Sequence, residues 1–156
     1  MSRYGSFKYG EKKYGSRWIT DRTEIDLINN TFKAFLNYTD MNRIEENMQE
    51  LLDLGVQCGY WTSITFIKTD WKNYSISTSN LNIPTRTHMQ RIINNLKSLR
   101  ANFLIYPTTP EAPATMEKIT IYIMNDFEQI LKDLFMIVQD IKEHYRECGA
   151  YECGED

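Results

Sequence analysis

The chain has 156 residues, of which 42% are hydrophobic and 25% charged, and its formal net charge is −3. Such a length suits one domain with one modest core, and such a composition excludes a chain that is disordered throughout. The slightly acidic balance excludes the overall basic field with which many nucleic-acid-binding proteins attract phosphates.

The sequence carries no sign of export or of membrane insertion. Its three cysteines, an odd number, are not the signature of a disulfide framework. The first residues are polar and charged, so we expect no signal peptide, and no apolar run approaches the roughly 20 residues of a membrane span. We therefore expect a protein that is made in a reducing cytoplasm and does not contact a membrane.

Residues 1–17 form a basic arm in which Tyr-Gly pairs recur every five residues, a spacing that belongs neither to a helix nor to a strand. Cations dominate this arm, whereas residues 140–156 are acidic, so the two ends either attract each other or remain two solvated tails. Glycine lets the backbone turn or approach a partner closely. We predict that the arm's aromatic side chains bind pockets of a neighbouring protein: Tyr4, Phe7, Tyr9, Tyr14 and Trp18.

A first helix is predicted after the arm. Asp21 can cap it, and Glu24, three residues later, can complete a capping box. Apolar residues at helical spacing then carry the prediction to about Leu36 and form one face: Ile25, Ile28, Phe32 and Phe35.

A second helix follows, capped by Thr39 or Asp40 and ended by Gly55 or Gly59. Because the gap between these two helices is short, we predict an antiparallel αα-hairpin. Three acids of the second helix are interpreted as a solvated face, and six apolar residues as its buried stripe. The acids are Glu45, Glu46 and Glu50, and the stripe is Met41, Ile44, Met48, Leu51, Leu52 and Val56.

The second half of the chain predicts two more helices separated by a stiff connector. Residues 60–82 are irregular, with alternation near 60–67 that permits a short strand. Pro84-Thr85 opens the third helix, three prolines within 106–115 mark the connector, and the fourth helix runs from about Thr120 to His144. We predict a mainly α fold over 18–144, with about four amphipathic helices in a small bundle of αα-hairpins and short β elements near 60–67 and at the termini. The predicted core consists of Ile25, Ile28, Phe32, Ile44, Met48, Leu52, Ile92, Leu96, Leu99, Phe127, Leu131, Leu134 and Val138.

The sequence contains an internal echo. The run from Met41 to Leu51 matches the run from Met89 to Leu99, with Met, Arg, Ile, Asn and Leu recurring in register, and Met124 opens a fainter third copy. Any two amphipathic helices need the same apolar stripe, so the match indicates a duplicated unit only weakly. We assign it no chemistry.

Residues 145–156 form an acidic stretch rich in aromatic residues, glycine and cysteine. Its alternating run, with Gly149-Ala150 near the middle, predicts either a β-hairpin, whose edge pairs with another strand, or a tail. Tyr145 and Tyr151 are two further candidate interface residues.

One metal site is conceivable near this end. His144, Cys148 and Cys153 are zinc-type ligands within ten residues. A structural zinc site needs four ligands, however, and Cys58 is the only obvious fourth. A Cys148–Cys153 disulfide across a hairpin would need an oxidising environment. We favour free thiols, and predict neither a metal nor a cofactor.

No constellation of an enzyme stands out. Phosphate-binding glycine loops and the nucleophile elbow are absent from the sequence, and two histidines leave few candidates for acid–base chemistry. The cations and aromatic residues of the arm could stack on single-stranded bases, which keeps nucleic-acid binding open as an alternative. We predict a protein that is not an enzyme and has no small-molecule substrate.

Four stretches of the chain resemble a family of structural proteins from tailed bacteriophages and related phage-tail-like particles of Gram-positive bacteria, which accompany the baseplate and tail fibres. The stretches are Trp18–Glu24 (WITDRTE), Leu36–Asn47 (LNYTDMNRIEEN), Ile83–Leu96 (with IPT and MQRIINNL) and Cys148–Glu155 (CGAYECGE). The resemblance as a whole extends over most of residues 18–155, and Leu36–Asn47 is its most specific part. The Tyr-Gly spacing also looks like the openings of such tail proteins.

The resemblance implies assembly rather than catalysis, and it brings no catalytic residues. Because a long fibre shaft is missing here, it favours a small baseplate component or tail-fibre adaptor. The expected partners are other tail, baseplate or fibre subunits, in homo- and hetero-oligomers within the virion. The alternative is a small nucleic-acid- or zinc-binding domain.

Overall fold

The computed structural model describes residues 17–31, 33, 36–60, 64–66, 69–72, 84–101, 103, 105–115 and 119–150, with side chains of the last helix as far as 144. Those residues contain four helices and no strand, which confirms the mainly α prediction. The helices are α1 (Glu24–Ile28), α2 (Tyr38–Gln57), α3 (Arg86–Arg100) and α4 (Ile121–Ala150).

The three long helices run in the same direction. Arg43 of α2 contacts Glu128 of α4, and Gln57 at the end of α2 contacts Lys142; both pairs are separated by 85 residues in sequence. Because both contacts have the same separation in sequence, α2 and α4 must run in the same direction. The long helices α2 and α4 therefore pack in parallel, and not as the two arms of an αα-hairpin.

The long gaps between the helices explain the parallel arrangement. A ring contact between Tyr60 and Phe103, with centroids 5.1 Å apart, places the residues after α2 beside those after α3. The chain must therefore return along the bundle before each new helix begins. A hairpin needs only a few linking residues, whereas residues 58–85 and 101–120 are long enough for such a return.

The buried apolar faces of α2, α3 and α4 form one core. Ten of the predicted core residues are buried in it: Ile44, Met48, Leu52, Ile92, Leu96, Leu99, Phe127, Leu131, Leu134 and Val138. Ile25 and Ile28 are the exceptions, with 65% and 77% of their surface exposed, and Phe32 lies outside the described residues.

The error at Ile25 and Ile28 follows from the short length of α1. Thr23 caps this helix instead of Asp21, and the capping box is completed by Asp26. Asn30, with φ of 50°, then takes the left-handed conformation and ends any helical continuation. Five residues are too few to bury an amphipathic stripe.

The caps of the long helices agree with the sequence more closely. Asn37 caps α2, with Asp40 as its capping-box partner, whereas we predicted Thr39 or Asp40 itself. Thr85 caps α3 as predicted. Gly59 follows the end of α2 with φ of 83°, a left-handed conformation that glycine adopts at little cost.

The predicted β elements are replaced by other structure wherever the chain is described. Residues 60 and 64–66 are irregular rather than extended in a strand. Helix α4 continues to Ala150, so residues 145–150 are helical where we predicted the first half of a hairpin. No proline interrupts this run, and glutamate and alanine within it favour the helix. Residues 151–156 lie outside the described part.

Candidate functional site

Residues 17–22, which we name the arm root, lie extended between α2 and α4. The ring of Trp18 packs against that of Phe135, with centroids 6.0 Å apart. The amide of Ile19 donates to Glu128 at 2.7 Å, and the amide of Arg22 donates to the Asn125 side chain at 3.0 Å. From residue 18 to residue 22, the contacted residues of α4 follow in reverse order: Phe135, Glu128 and Asn125. The arm root is therefore antiparallel to α4.

A buried ion cluster fastens the arm root. Arg22 Nη2 donates to Glu128 Oε1 at 2.6 Å, and Arg43 donates to both oxygens of Glu128. Asp40 accepts from Arg43 at 2.9 Å and lies 3.8 Å from Arg22. Two cations thus face two carboxylates, and all four residues are buried. Burial on this scale is tolerated because the charges are paired and hydrogen-bonded.

The pKa values of Asp40 and Arg43, the two α2 residues of this cluster, are both raised, but for different reasons. Burial raises the pKa of Asp40, although Arg43 and Arg22 counteract this effect. Burial also opposes the charge of Arg43, but the hydrogen bonds and charges of Glu128 and Asp40 outweigh it and raise the pKa of that guanidinium. Arg43 therefore remains a cation around neutral pH.

Arg17 is the first described residue and belongs to the body. It forms a two-pronged ion pair with Glu50, at 3.0 and 2.6 Å, and donates to Asn47 at 3.2 Å. Its guanidinium also lies 4.1 Å from the centre of the Phe135 ring. Arg17 is therefore held by the body, whereas we predicted it as the last residue of the arm.

Trp18 also packs against the body. We predicted it as an anchor for a neighbouring protein, but its side chain is half-buried and packs against this chain's own core. The other four predicted anchors of the arm lie outside the described residues: Tyr4, Phe7, Tyr9 and Tyr14.

A second polar network pins the return segment 69–72 against α2 and α3. Asn42 exchanges two hydrogen bonds of 2.9 Å with the backbone of Trp71. Glu45 accepts from the Thr69 amide at 3.0 Å, from the Trp71 indole at 2.8 Å and from Arg91 at 2.5 Å. The prediction that Glu45 belongs to a solvated face is wrong, because this carboxylate is buried and makes three hydrogen bonds.

The two networks are copies of one arrangement. In each, an asparagine side chain brackets the N–H and C=O of one residue in an extended segment: Asn42 does so for Trp71 and Asn125 for Arg22. Three residues after each asparagine, a glutamate accepts hydrogen bonds from a second amide of that segment and from an arginine of another long helix. The internal echo of the sequence thus marks a repeated structural unit.

The repeat also identifies residues that the sequence analysis missed. Glu45 and Glu128 occupy the same place in the echo, and Arg43 and Arg91 also correspond. The sequence did contain a signal for them, because the same polar residues recur beside the buried apolar stripe. Residues of a solvated face are under no constraint to recur in this way. In the third copy on α3, Gln90 and the buried Ile93 replace the bracketing pair.

The candidate zinc ligands are only partly described. His144 is exposed, and its Nδ1 donates to the backbone oxygen of Asp140 at 2.7 Å. Cys148 is described only by its helical backbone, as is the candidate interface residue Tyr145, and Cys153 and Tyr151 lie outside the described residues. The side chains that are described contain no group of three ligands that could hold a metal, and Cys58 is a half-buried free thiol. The metal site therefore stays an untested hypothesis.

A groove of about 620 Å³, which we name the end groove, lies beside the arm root. It includes residues that immediately precede or begin each of the three long helices, so it lies at the N-terminal end of the bundle. Its lining is mainly apolar, and the charged groups beside it come from the arm root and α1. The lining residues are Arg22, Glu24, Leu27, Leu36, Pro84, Ile119, Thr120, Ile121, Tyr122 and Met124.

Two general findings complete the description of the site. No helix within the described ranges combines the length and the apolar character that crossing a bilayer requires. Comparison of the chain with protein-family models, with curated proteins and with solved structures found no match.

Proposed function

We propose that this chain is a structural protein of a phage tail or phage-tail-like particle, a baseplate component or tail-fibre adaptor that docks onto neighbouring subunits. Two of the four stretches that carry the resemblance meet in the buried ion cluster that fastens the arm root. Trp18–Glu24 supplies Arg22, and Leu36–Asn47 supplies Asp40 and Arg43. The most specific part of the resemblance thus coincides with the device that fixes where the arm joins the body.

The observation that carries the proposal is the fixed origin of the arm. Arg17 is held at once by Glu50, Asn47 and the ring of Phe135. The sixteen residues that precede it carry four aromatic side chains and a net positive charge. An anchored origin lowers the entropy that a docking segment loses on binding, because its position is restricted before contact. Subunits that work by docking gain from such an origin.

The direct test is the composition of the particle. Tail particles purified from cells that carry the gene should contain the chain at a constant ratio to the major tail proteins, as measured by mass spectrometry. Antibody labelling should place it at the baseplate end. Particles from a strain in which the gene is deleted should lack baseplates or fibres, and complementation should restore them. A chain that never sediments with particles would refute the proposal.

A further inference from the structure

We propose that the end groove of one copy binds the arm, residues 1–16, of a second copy of this chain. This inference rests on the proposed function, since it takes docking by the arm as its premise and names the partner. The occupant is chosen by three observations: the apolar lining of the groove, the charge of its rim, and the direction in which the arm leaves the body.

The lining of the end groove suits aromatic side chains. Leu27, Ile119 and Tyr122 all contact the groove and keep 39%, 41% and 56% of their surface exposed. On the same short helix, Ile25 and Ile28 are exposed as well. Clustered exposed apolar residues of this kind mark interaction sites rather than ordinary surface. The arm offers Tyr or Phe at Tyr4, Phe7, Tyr9 and Tyr14.

The charge of the rim favours the arm over the acidic C-terminal residues. Glu24 lines the groove and Asp26 follows it on α1, whereas the charge of Arg22, which also lines the groove, is already matched by Glu128. Asp21, outside this lining, pairs with Lys33 at 2.5 Å. The carboxylates of Glu24 and Asp26 accept hydrogen bonds from the hydroxyl groups of Tyr122 and Thr31, which are neutral, and so they contribute negative charge here. Residues 1–16 carry four cations and one acid, but residues 151–156 carry three acids and no cation. Opposite charge attracts the arm and like charge repels the C-terminal end.

The direction of the arm root indicates that the arm comes from another copy. The partners of the arm root on α4 move from Asn125 to Phe135 as the chain is followed back toward residue 17. At residue 17 the chain therefore lies toward the C-terminal end of α4, away from the end groove. From Tyr122 to Phe135, α4 rises about 20 Å, and sixteen extended residues reach roughly 50 Å. The arm is long enough to enter the groove of a copy placed head to tail.

Head-to-tail contacts have a structural consequence. The donor surface and the acceptor surface are different, so the interface is heterologous, and repetition gives a ring when the rotation closes or a fibre when it does not. Either outcome suits a protein that is built into a particle. The inference therefore predicts self-association of the purified protein, without any other subunit.

Photocrosslinking with mixed isotopes tests the contact itself. Full-length protein with a photoreactive phenylalanine analogue at Tyr9 is mixed with ¹⁵N-labelled protein that lacks the analogue. We expect crosslinks from the unlabelled arm to labelled peptides that contain Leu27 or Tyr122. Crosslinks within one chain would overturn the second-copy occupant, and crosslinks to residues 151–156, or none at the highest soluble concentration, would overturn the inference altogether.

Surface variants test the energetic contribution of the groove. Leu27→Ser with Tyr122→Ser should weaken self-association at least about tenfold in sedimentation analysis, because two exposed apolar groups of the acceptor are removed. Val56→Ser with Met136→Ser removes two apolar residues of similar exposure, 43% and 47%, outside the groove, and should leave self-association unchanged. Equal effects of the two pairs, at unchanged thermal stability, would contradict the inference.

The two proposals fail in different ways. A chain that is present in particles but shows no contact between arm and groove leaves the proposed function intact and overturns this inference. Contact between arm and groove in a chain that never enters particles overturns the proposed function alone.

Discussion

At the scale of single residues, the polar groups inside the body decide its structure as much as the apolar ones do. Glu128 is fully buried and accepts hydrogen bonds from Arg22, Arg43 and the Ile19 amide. The apolar core could be predicted from the sequence, because the apolar residues on the buried face of a helix recur every three or four positions. The same periodicity could not locate Glu128, because a carboxylate on a helix is ordinarily solvated and only its partners, distant in sequence, justify its burial.

Removal of the charge at Glu128 should destabilise the fold strongly. In Glu128→Gln, Arg22 and Arg43 remain buried and only Asp40 is left to balance them. We expect a loss of about 3–5 kcal/mol in the free energy of unfolding, measured by urea denaturation. The matched control is Glu50→Gln, whose side chain is 51% exposed, and here we expect less than about 1 kcal/mol. Equal losses in both variants would show that the ion cluster contributes no more than a surface pair.

The titration of Asp40 gives a pH-dependent prediction. Because burial raises its pKa, the folded state holds this proton more tightly than the unfolded state does, between the ordinary value of 3.8 and the raised one. The contribution of Asp40 to stability therefore increases as pH falls through this window. The melting temperature of the wild-type protein, relative to that of Asp40→Asn, should rise between pH 7 and pH 4. A relative fall on acidification would contradict the assigned direction of the shift.

At the scale of elements, extended segments lie on the surface between parallel helices. Side chains of the helices, rather than a neighbouring strand, form hydrogen bonds with the backbone of these segments. Asn42 and Asn125 each satisfy one backbone N–H and one C=O of such a segment. The number and rough position of the long helices could be predicted from the sequence. Their parallel arrangement could not, because loop length alone does not say whether a loop crosses the end of the bundle or returns along its side.

The bracketing asparagines should matter more than other asparagines on the same helices. Asn42→Ala leaves the buried backbone of Trp71 without two partners, so we expect a loss of about 1–3 kcal/mol in unfolding free energy. Asn94→Ala on α3 removes an exposed side chain that bonds only to Gln90 among the described contacts, and should change stability by no more than about 0.5 kcal/mol. Hydrogen exchange should also accelerate at the Trp71 amide in the first variant alone. An unchanged exchange rate there would exclude the bracketing role.

At the scale of the whole molecule, we assign different roles to the body, which fixes the origin of the arm, and to the arm, which docks. The body holds Arg17 and Trp18 through its own helices, and the arm before them provides regularly spaced aromatic and basic side chains. The composition and spacing of the arm could be recognised from the sequence, but its boundary could not. Arg17 continues the basic pattern of the arm, and its contacts with residues thirty and more positions away, such as Glu50 and Asn47, show that it is bound by the body.

The position of this boundary is itself testable. Deletion of residues 2–16 should leave the helix content and the melting temperature nearly unchanged. Deletion of residues 2–18 should lower the melting temperature, because it also removes the ion pair with Glu50 and the packing of Trp18 on Phe135. Circular dichroism during thermal unfolding compares the two proteins directly. Equal melting temperatures for both would show that the arm root contributes nothing to the body.

The measurement that tests the central claim most directly is the incorporation of the protein lacking residues 2–16 into particles, compared with that of the full-length chain in the same cells. The account predicts a folded protein with normal helix content and melting temperature that is absent from purified particles. Normal incorporation of the shortened protein would contradict the claim that the arm is the part of the chain reserved for docking.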